Sequence, residues 1–379
     1  GDTFTVPSGA TIVNSGTATG FGITSASFLP TANPLIINGD MAVSQRSTSV
    51  AGITSAGYNT LDRWLLGNTN GGTWTQSQEA LTADEAYEDG FSTALKMDCT
   101  TADASLGAAD NLILQQRIEG QDLQLLKFGS STSATLTLGF WVKSTKTGTC
   151  IAELYQTDDT RSCSQSYTID TTNTWEYKVL NYPVDTTGVI DNNNDTGLTV
   201  LFWMAAGTNF TSGSLNTTWG TATAANRAVG QVNCADSTSN NFHITGVQLE
   251  VGTYTSSTIP PFRHESHQEN LWRCERYYRE IVTCTGVAPN TTTIQWMVHL
   301  ASMSAGPMRV APSVTCTSIS TTDMAYADHN DASVVSTAQG LFATGGRIST
   351  SGMSGLTTGR VQLKTYNASY QDIQLDAEL

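Results

Sequence analysis

The sequence predicts an all-β protein: a jelly-roll β-sandwich, a short connecting helix and a smaller C-terminal β-sandwich, preceded by a short β-rich stem segment. Three observations predict it. Thr alone outnumbers the 33 acidic and 18 basic residues together, and its branched Cβ suits a pleated, half-buried surface. Short stretches of alternating apolar and polar residues recur between clusters of Ser, Asn, Gly and Asp, the residues of tight turns. Long apolar runs at helical spacing are almost absent.

Residues 1–33 read as two or three short strands, with turns at Pro7-Ser8-Gly9 and Asn14-Ser15-Gly16. They are too few to bury a core alone. The chain opens on Gly rather than Met, so a cut or processed start is expected. Residues 34–262 carry the jelly roll. Leu35, Ile36 and Ile37 are expected as its first strand, broken by the turn-prone Asn38-Gly39-Asp40. Gln45 and Arg46 are expected to satisfy buried groups, and Arg46 or Arg63 to pair with a carboxylate. "LTLGFWVKS" places Leu136, Leu138, Phe140 and Val142 on one face. "TWEYKVLNY" alternates Trp175, Tyr177 and Val179 with Glu176 and Lys178. "GLTVLFWMAAG" sets Leu198, Val200, Phe202 and Met204 against Leu201 and Trp203. Within this block "EGQDLQLLKFG" suggests about two helical turns.

Residues 263–281 form the connecting helix. Ser266 followed by Glu269 is a capping box, and Leu271, Cys274, Tyr278 and Ile281 follow at helical spacing. Residues 282–379 return to short strands and Gly-rich turns, the pattern of a second sandwich.

Charge and composition exclude several functions. A net charge of −15 disfavours nucleic acid and anionic membranes. No apolar run is long enough to insert in a bilayer. The seven cysteines are odd in number and lack CxxC spacing, which argues against a disulfide framework or zinc site. Cys150 and Cys163 could pair, but small apolar fillers are the expectation. No G-x-S-x-G elbow positions a serine nucleophile. Glu79, Glu85, Glu88 and Asp89 lie in "QEALTADEAYEDG", read as a solvated loop rather than the paired carboxylates of a glycosidase.

The motifs "LIINGDMAVSQRSTS…YNTLDRW", "LTLGFWVKSTKTGT", "TWEYKVLNYPVDTTG", "ITGVQLEVGTYTSSTIPPF" and "CERYYRE" occur in order. Together they resemble a family of phage tail-fibre-like virion proteins, common in phages of marine bacteria. The chain departs from that pattern at Arg263 and His267. The resemblance implies a carbohydrate-binding-like jelly roll on a virion appendage. It implies a homotrimer that meets other tail or capsid proteins and host cell-surface polysaccharide, assembled in the bacterial cytoplasm. The expected function is host attachment by non-catalytic glycan binding. The alternatives are a purely structural virion protein or, less favoured, a glycan-degrading tailspike.

Glycan binding by a β-sandwich calls for exposed rings with amides and carboxylates nearby. Trp74, Tyr155, Trp203 and Trp219 are the expected platform, and Trp141 and Trp175 are read as structural. No cofactor is required. A structural calcium is considered at Asp40 and Glu250, hard oxygen ligands near the end strands. His264 and His267 are three apart, but His264 precedes the helix cap, so they read as surface imidazoles.

Overall fold

The computed structural model describes residues 34–298, 306–323, 328–358, 360–364 and 371–379. The expected stem, residues 1–33, lies outside them. Pro34–Leu379 forms one compact unit. It holds one large hydrophobic core in its N-terminal part and a smaller one in its C-terminal part.

The large part contains β1 Ser49–Gly57, β2 Leu65–Ala80, β3 Thr93–Thr101, β4 Asn111–Glu119, β5 Leu136–Ser144, β6 Gly148–Gln156, β7 Arg161–Ile169, β8 Glu176–Tyr182, β9 Thr196–Ala206, β10 Gly220–Thr221 and β11 Asn241–Val251. One hydrogen-bonded path runs β10-β7-β6-β9-β4-β2-β3-β11-β5-β8, with β1 on β2. The path folds into two layers because β2 changes partner along its length. Residues 65–70 pair with β4, and residues 73–80 pair with β3. The crossing point is Gly71-Gly72. Gly72 sits at φ +81°, and a Cβ there would lie 2.5 Å from the Thr101 carbonyl oxygen, so glycine alone fits. Leu138, Phe140 and Val142 of one layer then face Val200, Phe202 and Met204 of the other. Phe140 and Phe202 meet edge to face at 5.0 Å. This is the jelly roll the alternation predicts.

Leu35, Ile36 and Ile37 are buried but form no strand. Instead the Gln116 amide takes the place of a neighbouring strand: its Oε1 accepts from Ile37 N and its Nε2 donates to Ile37 O, both at 2.8 Å. A side chain thus satisfies backbone groups that a ladder would otherwise pair. The break follows as expected. Asn38 and Met41 take positive φ, and Gly39 packs so closely on Val247 that a Cβ would lie 2.2 Å from its carbonyl oxygen. The predicted two turns at residues 120–126 are a 3₁₀ helix.

The connecting helix is shorter than the 263–281 the spacing predicts. It spans His267–Glu275, and its N-terminus carries the predicted capping box between Ser266 and Glu269. Tyr278–Ile281 is a strand, β12, not helix. The remaining strands are β13 Cys284–Asn290, β14 Thr293–Val298, β15 Ser313–Thr315, β16 Ile319–Asp323, β17 Asp328–Asp331, β18 Val335–Phe342, β19 Gly345–Ser351, β20 Val361–Lys364 and β21 Ile373–Asp376. The physical reason for the early stop is that β21 offers Tyr278–Ile281 a complete antiparallel ladder. Aromatic and β-branched residues also suit a strand better than a helix. A three-stranded sheet β12-β21-β15 packs against a seven-stranded sheet β17-β16-β20-β13-β14-β19-β18, with Trp296, Ile348, Ile373 and Leu375 between them. The small sandwich therefore begins at Tyr278 rather than at residue 282.

Arg46 and Arg63 do pair with carboxylates, mostly from the far end of the chain. Arg46 reaches Asp376 at 3.1 Å, Glu378 at 3.3 Å and Asp62 at 3.7 Å. Arg63 is fully buried, paired with Glu378 and lying 3.4 Å from the Tyr277 ring centre. Gln45 bonds the Asp62 carboxylate and the Tyr278 carbonyl. All seven cysteines are free. Cys150 stands opposite Tyr167 and Cys163 opposite Leu154, out of register for a disulfide. Among the described residues, no helix is long and apolar enough to cross a membrane.

Candidate functional site

The four aromatics expected as a sugar platform do not come together. Trp74 points into the sandwich, has no exposed surface, and donates its indole N–H to the Gly71 carbonyl at 2.7 Å. Trp203 is on the outer face of its sheet, as the alternation predicts, yet it too is fully buried. Residues from the 207–233 stretch, Phe210, Leu215 and Ala228 among them, pack over that face. Its indole donates to Glu153 at 2.9 Å, and Arg227 closes the cluster on Glu153 at 2.7 Å. Tyr155 is half-buried under the same Arg227. Trp219 stands apart, half-buried, edge-on to Phe128 and bonded to the Pro183 carbonyl. Burial converts this outer face from a platform into a second small core.

The outer face of the opposite sheet is covered only in part. Trp141 on β5, Tyr177 on β8 and Thr245 on β11 sit side by side across three strands. The Trp141 and Tyr177 rings are 5.3 Å apart, and both are partly exposed. A bulge in β11 then re-aims the chain, with Gly246 at φ +61° between Thr245 and Gln248. A Cβ at Gly246 would press to 2.6 Å from the Phe91 ring. Beyond the bulge, the Gln248 amide donates to the Tyr177 hydroxyl at 3.0 Å and the Pro260 carbonyl at 3.3 Å. Gly139 leaves the floor clear: a Cβ there would fall 2.6 Å from the Tyr177 oxygen.

Two loops wall this floor. The "TADEAYEDG" stretch folds over the sheet. Its Asp84 caps a one-turn helix and accepts from the Trp175 indole at 2.7 Å. Asp89 accepts from the Trp141 indole at 3.0 Å. Phe91 packs edge-on to Phe262 from the opposite wall, at 4.9 Å. The result is an open cleft of about 310 Å³, with Trp141, Tyr177, Asp89, Gln248, Ile259 and Phe262 among its lining residues. That volume is at the lower end for small-ligand sites. Burial, with the negative charges of Asp89 and Glu250, pushes the Tyr177 phenol up, against the Gln248 hydrogen bond. Tyr177 therefore stays a neutral donor. The cleft offers two partly exposed rings, an amide, a hydroxyl and a carboxylate.

Sequence reasoning missed this cleft. Trp141 and Trp175 read as structural, and Trp175 is, at 3% exposed. Trp141 also packs against the cluster around Trp175, but one part of its ring stays exposed beside Tyr177. The acidic loop, read as solvated, supplies the hydrogen bonds that hold both indoles. A second cavity, about 300 Å³, lies where Arg46 meets Tyr58 and Tyr278, but there the arginine is already engaged by three carboxylates.

Asp40 and Glu250 line one narrow cavity of about 20 Å³, room for one water or one small ion. Burial pushes both carboxyls up, against Arg263 at Glu250 and against hydrogen bonds at Asp40. Gln248 lines the same cavity, and its Oε1 is buried without a partner. These oxygens are of the type a hard cation takes, but Arg263 also lines the cavity and Asn270 already donates to Asp40, so an ion would compete with both. Among the described residues no three His, Cys, Asp or Glu side chains converge on one point, so any further ligands would be amide, backbone or water oxygens. His264 packs against Phe91 and Phe262 and His267 is exposed, so neither joins such a set.

No family model matches the chain, and no curated protein does. Three solved structures give the range of what resembles it. The enzymatically active domain of tailspike protein 4 of bacteriophage CBA120 is 16% identical, over 57% of this chain and 21% of that one, with a TM-score of 0.30. The match thus spans about a fifth of the tailspike domain. The N-terminal cellulose-binding domain of Cellulomonas fimi β-1,4-glucanase C is 12% identical over 56% of this chain and all of that one, with a TM-score of 0.24. TmCBM61, solved with β-1,4-galactotriose, is 12% identical over 58% of this chain and 99% of that one, with a TM-score of 0.26. At such identities and scores, none of these likenesses assigns a ligand to this chain.

Proposed function

We propose that this chain is a non-catalytic glycan-binding protein of a phage virion appendage, attaching to host surface polysaccharide through the Trp141–Tyr177 cleft. The carrying observation is the cleft itself. Partly exposed rings offer the apolar faces that sugars stack on, while Tyr177, oriented by Gln248, and Asp89 offer partners for hydroxyls. Among its described lining residues Asp89 is the single carboxylate. Glycoside hydrolysis calls for two flanking the bond, which favours binding over cleavage. The ordered sequence motifs support the virion setting. In this reading copies associate as a homotrimer, so that weak contacts add up to stable attachment.

A glycan array and a host-cell pull-down test the reading. Trp141→Ala is expected to abolish or weaken binding at least tenfold. Trp203→Ala is expected to cost about 3–5 kcal/mol of stability and leave the affinity of the folded fraction unchanged. Light scattering should give the mass of three chains. Unchanged binding by Trp141→Ala would remove the cleft from the proposal. A chain that binds no glycan but copurifies with capsid or tail proteins would favour the purely structural alternative.

Calcium at Asp40 and Glu250 belongs to the same proposal. It would tie the turn after residue 38 to the end of β11. Calcium addition should raise Tm, and Glu250→Gln should remove that response. A Tm indifferent to calcium and chelator would rule the ion out.

A further inference from the structure

We infer that the cleft selects neutral sugars and rejects uronic and sialic-type acids, with the acidic loop over its rim as the discriminating element. This rests on the glycan-binding reading and adds the class of glycan. No Lys, Arg or His is among the described residues lining the cleft; its ionisable groups are Asp89 and the neutral Tyr177. The loop that walls it on one side carries Asp84, Glu85, Glu88 and Asp89 within six positions, and its short helix has no basic residue in its last turn. Glu85, Glu88 and Asp89 are exposed. Glu250 adds a further negative charge that acts on Tyr177. Of the basic groups around it, Lys143 lies 4.9 Å from the Trp175 ring centre, Arg263 acts on Glu250, and the His264 imidazole packs behind the lining residues Phe91 and Phe262.

A ligand carboxylate entering the cleft would meet the Asp89 carboxylate and, among the described lining residues, no cationic partner. Like charges within several ångströms repel by more than the thermal energy at the effective dielectric of a protein surface. A neutral sugar meets no such penalty: its hydroxyls can donate to Asp89 and accept from Tyr177. The chain's charge of −15 works in the same direction at longer range.

The experiment is an array of neutral oligosaccharides printed beside uronate- and sialate-containing counterparts of matched backbone. It is read with the full chain, with and without calcium. The wild-type protein is expected to bind neutral members at least tenfold more tightly than their acidic counterparts. Raising salt from about 0.02 to 0.5 M should narrow that gap, because the repulsion is screened. A Glu85→Gln/Glu88→Gln double variant, altered only at the exposed rim, should narrow it too while leaving neutral binding as it was. Asp89→Asn should narrow it further. Acidic glycans bound as tightly as neutral ones, or a gap that neither salt nor the rim variant moves, would overturn the inference and leave glycan binding standing. No binding of any glycan, with Trp141→Ala indistinguishable from wild type, would overturn both.

Discussion

Two carboxyls show how burial and pairing pull acid groups in opposite directions. Asp62 lies almost wholly inside the clasp near the chain's end. Burial pushes its carboxyl up to about 6, because Arg46, 3.7 Å away and shared with two other carboxylates, compensates only part of the lost hydration. Glu79 is half-exposed, and the His243 imidazole at 2.9 Å pulls it down to about 2. The signs follow from linkage. From about pH 4 to 6 the folded chain holds the Asp62 proton that the unfolded chain has released, so this group's contribution falls as pH rises. Below about pH 4.5 the unfolded chain takes up a proton that Glu79 refuses when folded, so its contribution is lost as pH falls toward 2. Tm is therefore expected to peak between about pH 4 and 4.5 in a series from pH 2.5 to 7.5. Asp62→Asn should flatten the high-pH side and Glu79→Gln the low-pH side. Slopes unchanged in both variants would show that other groups set the profile.

Among the elements, the strands were the most legible and their surroundings the least. Alternation correctly separated Phe202 from Trp203, because successive side chains on a strand point to opposite faces. It could not say that residues 207–233 would cover the Trp203 face fully while the Trp141 face was covered only in part. Covering depends on where a loop lands, and nothing in a strand's own pattern records that. The helix after Ser266 shows the same limit. Its start was legible because a capping box is a local bargain between Ser266 and Glu269. Its end was not, because β21, nearly a hundred residues on, supplies the ladder that claims Tyr278–Ile281. Leu35, Ile36 and Ile37 have a strand's composition, but they form no strand, and the Gln116 amide rather than a neighbouring strand holds the Ile37 backbone.

At the scale of the whole molecule, the C-terminus is the fastening. Arg63 is buried among Glu378, the Tyr277 ring and the Arg117 carbonyl, and the Leu379 carbonyl accepts from Arg117. Arg309 adds bonds to the Ala377 and Glu378 carbonyls. Glu378→Ala would leave a buried guanidinium without its carboxylate and is expected to cost about 3–5 kcal/mol in chemical denaturation. A loss below about 1 kcal/mol would mean that Arg63 finds other partners or water. The sequence by itself determined the all-β class, the strand alternation, the glycine break after Asn38, the helix cap and the need of Arg46 and Arg63 for carboxylates. All of these are set by residues close in the chain or by composition. Only the tertiary structure decided which carboxylates answer, which outer sheet face is fully covered and which aromatics stay partly open to a ligand. Those outcomes depend on contacts between segments far apart in the chain, and period-2 alternation carries no information about them.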